Sequence, residues 1–238
     1  GLRQIDSTAS APVERVARAV GAKDYLYGEI TRFGKSYTVS AEVLDTATND
    51  KIVSLEETAH GRDEIPAAIS RLAEDVRAEV AAGGWRLARR TVPLAREATG
   101  NLDALHEYAL AEAAVEAGRT GDAFAAYQRA TALDPKFIEA QTGLAWLYRS
   151  EGAEVESANA ARLAENAAAG ASERTKLLAQ FSYLVNVNAD YRQARQVIRK
   201  YVGNNPHDAE GLAALALASR LQGYLPEALL AAQQGYGE

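Results

Sequence analysis

The sequence predicts a small α+β domain (helix, antiparallel three-stranded meander, helix) followed by an all-α superhelix of about four helical hairpins. Three observations carry this. Apolar residues alternate at period two over 24–44, they recur at helical spacing on either side of that stretch, and from Leu102 onward one set of marks returns about every 34 residues.

The first helix is predicted over 12–20, with Val13, Val16, Ala17 and Val20 on one face, Ser7, Thr8 and Ser10 as caps before it and Gly21 after it. Leu2 to Ile5 adds an extra strand, and Gly1-Leu2-Arg3-Gln4-Ile5 begins as though mid-domain. Strands are predicted over 24–33, 36–44 and 51–57; in the second, Tyr37, Val39, Ala41 and Val43 alternate with Thr38, Ser40 and Glu42. Arg32-Phe33-Gly34-Lys35 makes the first tight turn and Thr46-Ala47-Thr48-Asn49-Asp50 the second. Asp63 is expected to cap a second helix carrying Ile65, Ile69, Leu72, Val76 and Val80, with Pro66 in its first turn and Gly83-Gly84 at its end. A sheet with one apolar face needs a helix layer, which these two helices are expected to supply. Domain boundaries follow as 1–84, a connector over 85–101 marked by Pro93 and Gly100, and a helical array over 102–238.

In the array, Leu110, Ala111 and Ala114 are followed by Ala123, Tyr127, Ala130 and Pro135. The same gaps recur in Phe181, Ser182, Val185, Ala194, Ile198, Tyr201 and Pro206, and again in Leu215, Ala216, Ser219, Ala228 and Ala232. The second unit has Leu144, Ala145 and Tyr148, with Ser172 at the proline position; its outer marks fit as Ala160, Ala164 and Ala167 if three residues are inserted near 151–157. Small residues let paired helices approach closely, while bulky ones fill the groove to the next pair. These marks resemble the tetratricopeptide repeat (TPR) family over about 135 residues. The resemblance implies a stacked superhelix whose inner wall binds peptides.

Gly21-Ala22-Lys23-Asp24-Tyr25-Leu26-Tyr27-Gly28 and Val43-Leu44-Asp45-Thr46-Ala47-Thr48 resemble the TolB-like amino-terminal domain of bacterial regulators. Pro93-Leu94-Ala95-Arg96-Glu97-Ala98-Thr99, Asn101-Leu102-Asp103-Ala104-Leu105 and Ser172-Glu173-Arg174 are similar to the region joining such a domain to TPRs in large bacterial serine/threonine kinases. That resemblance implies a sensory or scaffolding region carboxy-terminal to a kinase and a membrane span. No glycine-rich ATP loop, catalytic Asp loop or metal-binding Asp motif stands in this sequence, so any kinase activity lies outside it.

Composition narrows the chemistry. The net charge of −6 argues against a nucleic-acid partner, and Arg86-Leu87-Ala88-Arg89-Arg90 beside Trp85 reads as a solvated linker. With no cysteine there is no disulfide or thiolate chemistry, and no apolar run reaches the ~20 residues of a membrane span. The lack of any methionine reads as an excised or processed piece; the resemblance to bacterial regulators implies a bacterial protein, with this chain cytoplasmic or the extracytoplasmic part of a membrane-anchored one. Gly28 to Gly34 before Lys35-Ser36 places five residues between the glycines where a phosphate loop needs four. His60, His106 and His207 are isolated, and Glu56 and Glu57 point to opposite faces of a strand, so no metal, cofactor or acid/base pair is read.

Counting by helical turn along the first helix of each hairpin puts Tyr108, Glu112, Trp146, Arg149, Tyr183, Asn186 and Arg220 on the concave side, where aromatic rings with polar tips anchor partners. Trp146 and Tyr183 serve equally as inter-repeat core. The expected function is a non-catalytic protein- or peptide-binding module; the alternative is an oligomerisation region, such as a homodimer, or a spacer, with the α+β domain as the recognition or ligand-sensing element.

Overall fold

The computed structural model describes residues 11–19, 21–82 and 99–236. They divide between two compact units, Gly1–Ala95 and Arg96–Glu238. The predicted caps Ser7, Thr8 and Ser10, the strand Leu2 to Ile5, Val20, Gly83-Gly84 and most of the 85–101 connector, with its Arg86 to Arg90 run, lie outside the described residues.

In the first unit, helix α1 (Ala11–Ala19) leads into strands β1 (Asp24–Phe33), β2 (Ser36–Asp45) and β3 (Lys51–Ala59), which form an antiparallel sheet in the order β1-β2-β3. Gly28, one end of the apparent phosphate loop, sits inside β1 opposite Ala41. The β2–β3 turn is held by Asp45, whose carboxylate accepts the N–H groups of Ala47 at 2.8 Å and Thr48 at 2.9 Å. Those bonds hold its carboxyl below the usual range. A 3-10 turn (Arg62–Glu64) precedes helix α2 (Ile65–Ala82). Asp63 lies within that turn rather than ahead of it, because the chain enters helical geometry earlier, at Arg62 after the extended Gly61.

The strands' alternation decides where the helices go. Val39 and Ala41 pair with Ile30 and Gly28 on one face, where Ile69, Leu72 and Val76 of α2 stand over them. Tyr25 and Leu44 share the other face, and there they bury Ala17 of α1. The two helices therefore lie on opposite faces of the sheet instead of forming the expected single layer. The predicted apolar stripe of α1 is also mostly wet: Ala17 is buried, but Val13 is exposed and Val16 is 63% exposed.

The second unit is the all-α array of four hairpins: α3 (Leu102–Glu116) with α4 (Thr120–Leu133), α5 (Ile138–Ser150) with α6 (Glu154–Ala167), α7 (Glu173–Asn186) with α8 (Tyr191–Asn204), and α9 (Ala209–Leu221) with α10 (Leu225–Tyr236). Asn101 caps α3 by accepting from Asp103 and Ala104 N–H, and donates its amide to the Leu133 carbonyl at 3.1 Å. Thr99, fully buried, donates to Asp134 at 2.6 Å, so the entry to the array is tied to the end of its own first hairpin.

Within three of the hairpins the turn has one form: the first helix ends at a left-handed glycine (Gly118, Gly152, Gly223), whose successor's N–H reaches back five residues to Ala114, Tyr148 or Ser219. In the third hairpin Ala189 takes that place at φ +51°. These turns are spaced 34, 37 and 34 residues apart, which relocates the irregularity in the second unit. Its turn keeps regular spacing, and the three extra residues are the 3-10 turn Ala168–Gly170 between the second and third hairpins, not an insertion near 151–157. The small outer-helix position is accordingly Ser157, buried and hydrogen-bonded to the Ala145 carbonyl at 2.8 Å, rather than Ala160.

Small residues line the contact within the first three pairs: Ala111, Ala145 and Ser182 on the inner helices and Ala123, Ser157 and Ala194 on the outer ones are all buried. Phe137, Phe181, Ile198 and Leu212, also fully buried, fill the space between pairs. Relieving the left-handed strain at Ala189 by Ala189→Gly should stabilise the array by about 0.5–1 kcal/mol, read as a raised urea midpoint with an unchanged slope.

Candidate functional site

The inner helices of all four hairpins, α3, α5, α7 and α9, contribute to one cavity of about 190 Å³. Tyr108 and Glu112 come from α3, Glu139, Thr142, Gly143 and Trp146 from α5, Arg174, Thr175 and Leu178 from α7, and Glu210 from α9. Tyr108 is fixed against Phe137 with ring centroids 4.9 Å apart, and Trp146 against Phe181 at 5.7 Å. Trp146 is thus at once core and cavity wall.

Tyr127 reaches the cavity from the outer helix α4 and donates its hydroxyl to Glu112. It can do so because residue 143 is glycine: a Cβ there would stand 2.5 Å from the Tyr127 ring carbon Cζ. Burial is the main cause raising both the Tyr108 and Tyr127 hydroxyls above their ordinary range, with the Glu112 carboxylate adding to it, so both remain neutral donors.

At the α7–α9 end, Arg174 donates to Asp208 at 2.7 Å and to Glu210 at 2.7 Å, while Tyr201 donates to Asp208 at 2.6 Å. Asp208 also caps α9 by accepting from Gly211 N–H, and the neighbouring His207 is exposed. Burial by itself would raise the Asp208 carboxyl, but Arg174, Tyr201 and the Gly211 N–H outweigh it and hold it at about 2. Burial and the bond to Asp208 push Tyr201 up to about 12. Burial likewise opposes the Arg174 charge, and its two carboxylate partners overcome it.

Of the seven residues singled out from sequence, Tyr108, Glu112 and Trp146 meet in this cavity. Arg149 and Asn186 meet each other instead, at 3.4 Å, with the Arg149 guanidinium 6.0 Å from the Tyr191 ring. Tyr183 is half-buried on α7. Arg220 is exposed and borders a separate apolar trough of about 540 Å³ between α9 and α10, walled by Ala213, Ala216, Leu217, Leu225 and Leu229. Glu139, Arg174, Thr175 and Glu210 were not found by counting. They occupy the first turn of each inner helix, and the signal for them was in the period: Glu139 and Glu210 are the same repeat position two units apart once the Ala168–Gly170 insertion is allowed for.

No family model matches the chain, and no curated relative does. Among solved structures the chain is similar to MamA MSR-1 C2, at 18% identity and a TM-score of 0.32, over 56% of this chain and 75% of that one.

Gly143→Ala should drive Tyr127 from its seat and cost about 1–3 kcal/mol, measured by chemical unfolding, with near-ultraviolet circular dichroism reporting the displaced tyrosine. The Asp208 carboxyl titrates lower in the folded chain than its ordinary 3.8, so the clasp's contribution is complete above about pH 4 and is lost as pH falls toward 2. Tyr201 is shifted the other way, and its contribution is complete below about pH 10 and lost towards 12. Unfolding midpoints across pH should show both limbs, Asp208→Asn flattening the acid one and Tyr201→Phe the alkaline one.

Proposed function

We propose that the helical array is a non-catalytic interaction module that binds a peptide or partner domain along its inner wall. The observation that carries this is the convergence of Tyr108, Trp146, Arg174 and Glu210 from four successive hairpins on one cavity. An aromatic floor with a few oriented polar groups is what a peptide anchor requires, and no nucleophile–base pair accompanies it. Residues 102–238 form the TPR-type array in this reading, 1–84 a TolB-like domain and 85–101 the connector. The resemblance noted for these segments favours a place within a larger bacterial signalling protein. Among the described residues no helix is long and apolar enough to cross a membrane.

A second reading makes the array an oligomerisation surface or spacer, with the α+β unit as the recognition element. The exposed leucines Leu225, Leu229 and Leu230 on the last helix favour it.

Light scattering combined with capture of peptides selected on the wild-type chain from a random display library separates the two. Trp146→Ala should weaken capture by roughly tenfold or more, Arg149→Ala by less, with the mass unchanged. Unchanged capture in both variants together with loss of a dimer would favour the second reading.

A further inference from the structure

Building on the reading of the inner wall as a peptide groove, we infer that its cavity receives a cationic side chain, an arginine or lysine of a basic peptide. A space of about 190 Å³ accommodates one long side chain, not a folded surface. Its wall joins two complementary materials. Ile138, Leu178 and the rings of Tyr108 and Trp146 offer an apolar lining for an alkyl stem and aromatic faces for its charged head.

Around them stand three carboxylates, Glu112, Glu139 and Glu210, against a single guanidinium, that of Arg174. Arg174 is engaged by Asp208 as well as Glu210, so it brings no free positive charge to the space. Glu112 accepts from the Tyr127 hydroxyl, and a neutral hydroxyl orients a carboxylate without cancelling its charge; Glu139 accepts from the Thr175 hydroxyl at 3.4 Å. The negative field is felt at the floor, where Glu112, Glu210 and Glu139 reinforce what burial does to the Tyr108 hydroxyl.

Among the described residues no group of His, Asp and Glu is placed to hold a metal ion. The chain already uses this recognition internally: the Arg195 guanidinium lies 3.7 Å from the Tyr224 ring centroid while pairing with Glu227 at 2.5 Å. An acidic side chain in the cavity would face like charge from Glu112, Glu139 and Glu210.

The test is selection of short random peptides on the intact chain, followed by sequencing and fluorescence-anisotropy titration of the enriched ones. Arginine or lysine should dominate at one position, and replacing that residue by glutamine should weaken binding about tenfold. The isosteric pair Glu112→Gln with Glu139→Gln should weaken it similarly and reduce its salt dependence while leaving the thermal melt in place. Enrichment of acidic or uncharged peptides whose binding still falls with Trp146→Ala would overturn the cationic preference and leave the groove standing. Basic peptides insensitive to both the glutamine pair and Trp146→Ala would overturn the cavity assignment, and no enrichment at all would overturn the groove with it.

Discussion

Two helices can lie side by side at close range only where neither presents a bulky side chain to the other, and the second unit rests on that condition. Ala111 and Ala123, Ala145 and Ser157, Ser182 and Ala194 are the buried small residues that meet it in the first three hairpins. Because the pairs sit close, the larger side chains are displaced to the seams between hairpins, where Phe137, Phe181, Ile198 and Leu212 are wholly enclosed. Gly143 extends the same logic by one step: with no side chain on α5, Tyr127 crosses from the outer helix to the inner wall and places its hydroxyl on Glu112. Packing requirements and the chemistry of the wall thus meet at one residue.

The inner wall owes its character to what surrounds the aromatic floor. Tyr108 and Trp146 are pinned by Phe137 and Phe181, so they offer surface without the entropic cost of ordering flexible side chains. The charged residues are arranged with equal economy, since Arg174 joins α7 to α9 and in the same stroke orients Glu210 toward the cavity.

The array was legible in the sequence because its constraint is periodic: alanines at fixed intervals report helix contacts directly. What misled the reading was the second unit, where the small position carries Ser157. A serine does not look like an alanine until its hydroxyl is seen bonded to the Ala145 carbonyl, so an alanine-rich stretch three residues downstream offered a false match. In the first unit the strands were plain from alternation, including β1 to the residue. The faces chosen by α1 and α2 were not, since both parities of β1 carry apolar residues, Tyr25 and Tyr27 on one and Leu26 and Ile30 on the other. The inner wall was half legible. Counting found the residues in the middle turns of the inner helices and passed over those in the first turn, where Arg174 declares its role only through partners 34 and 36 residues away.

The clasp between Arg174 and Asp208 also ties the last hairpin to the one before it. A linear stack shares its cohesion between neighbours alone, so this bond acts on the third and fourth pairs and not on the first two. Acid that neutralises the Asp208 carboxylate therefore weakens this seam in particular. Glu210 of the inner wall is held by the same guanidinium, so that end of the cavity depends on the seam.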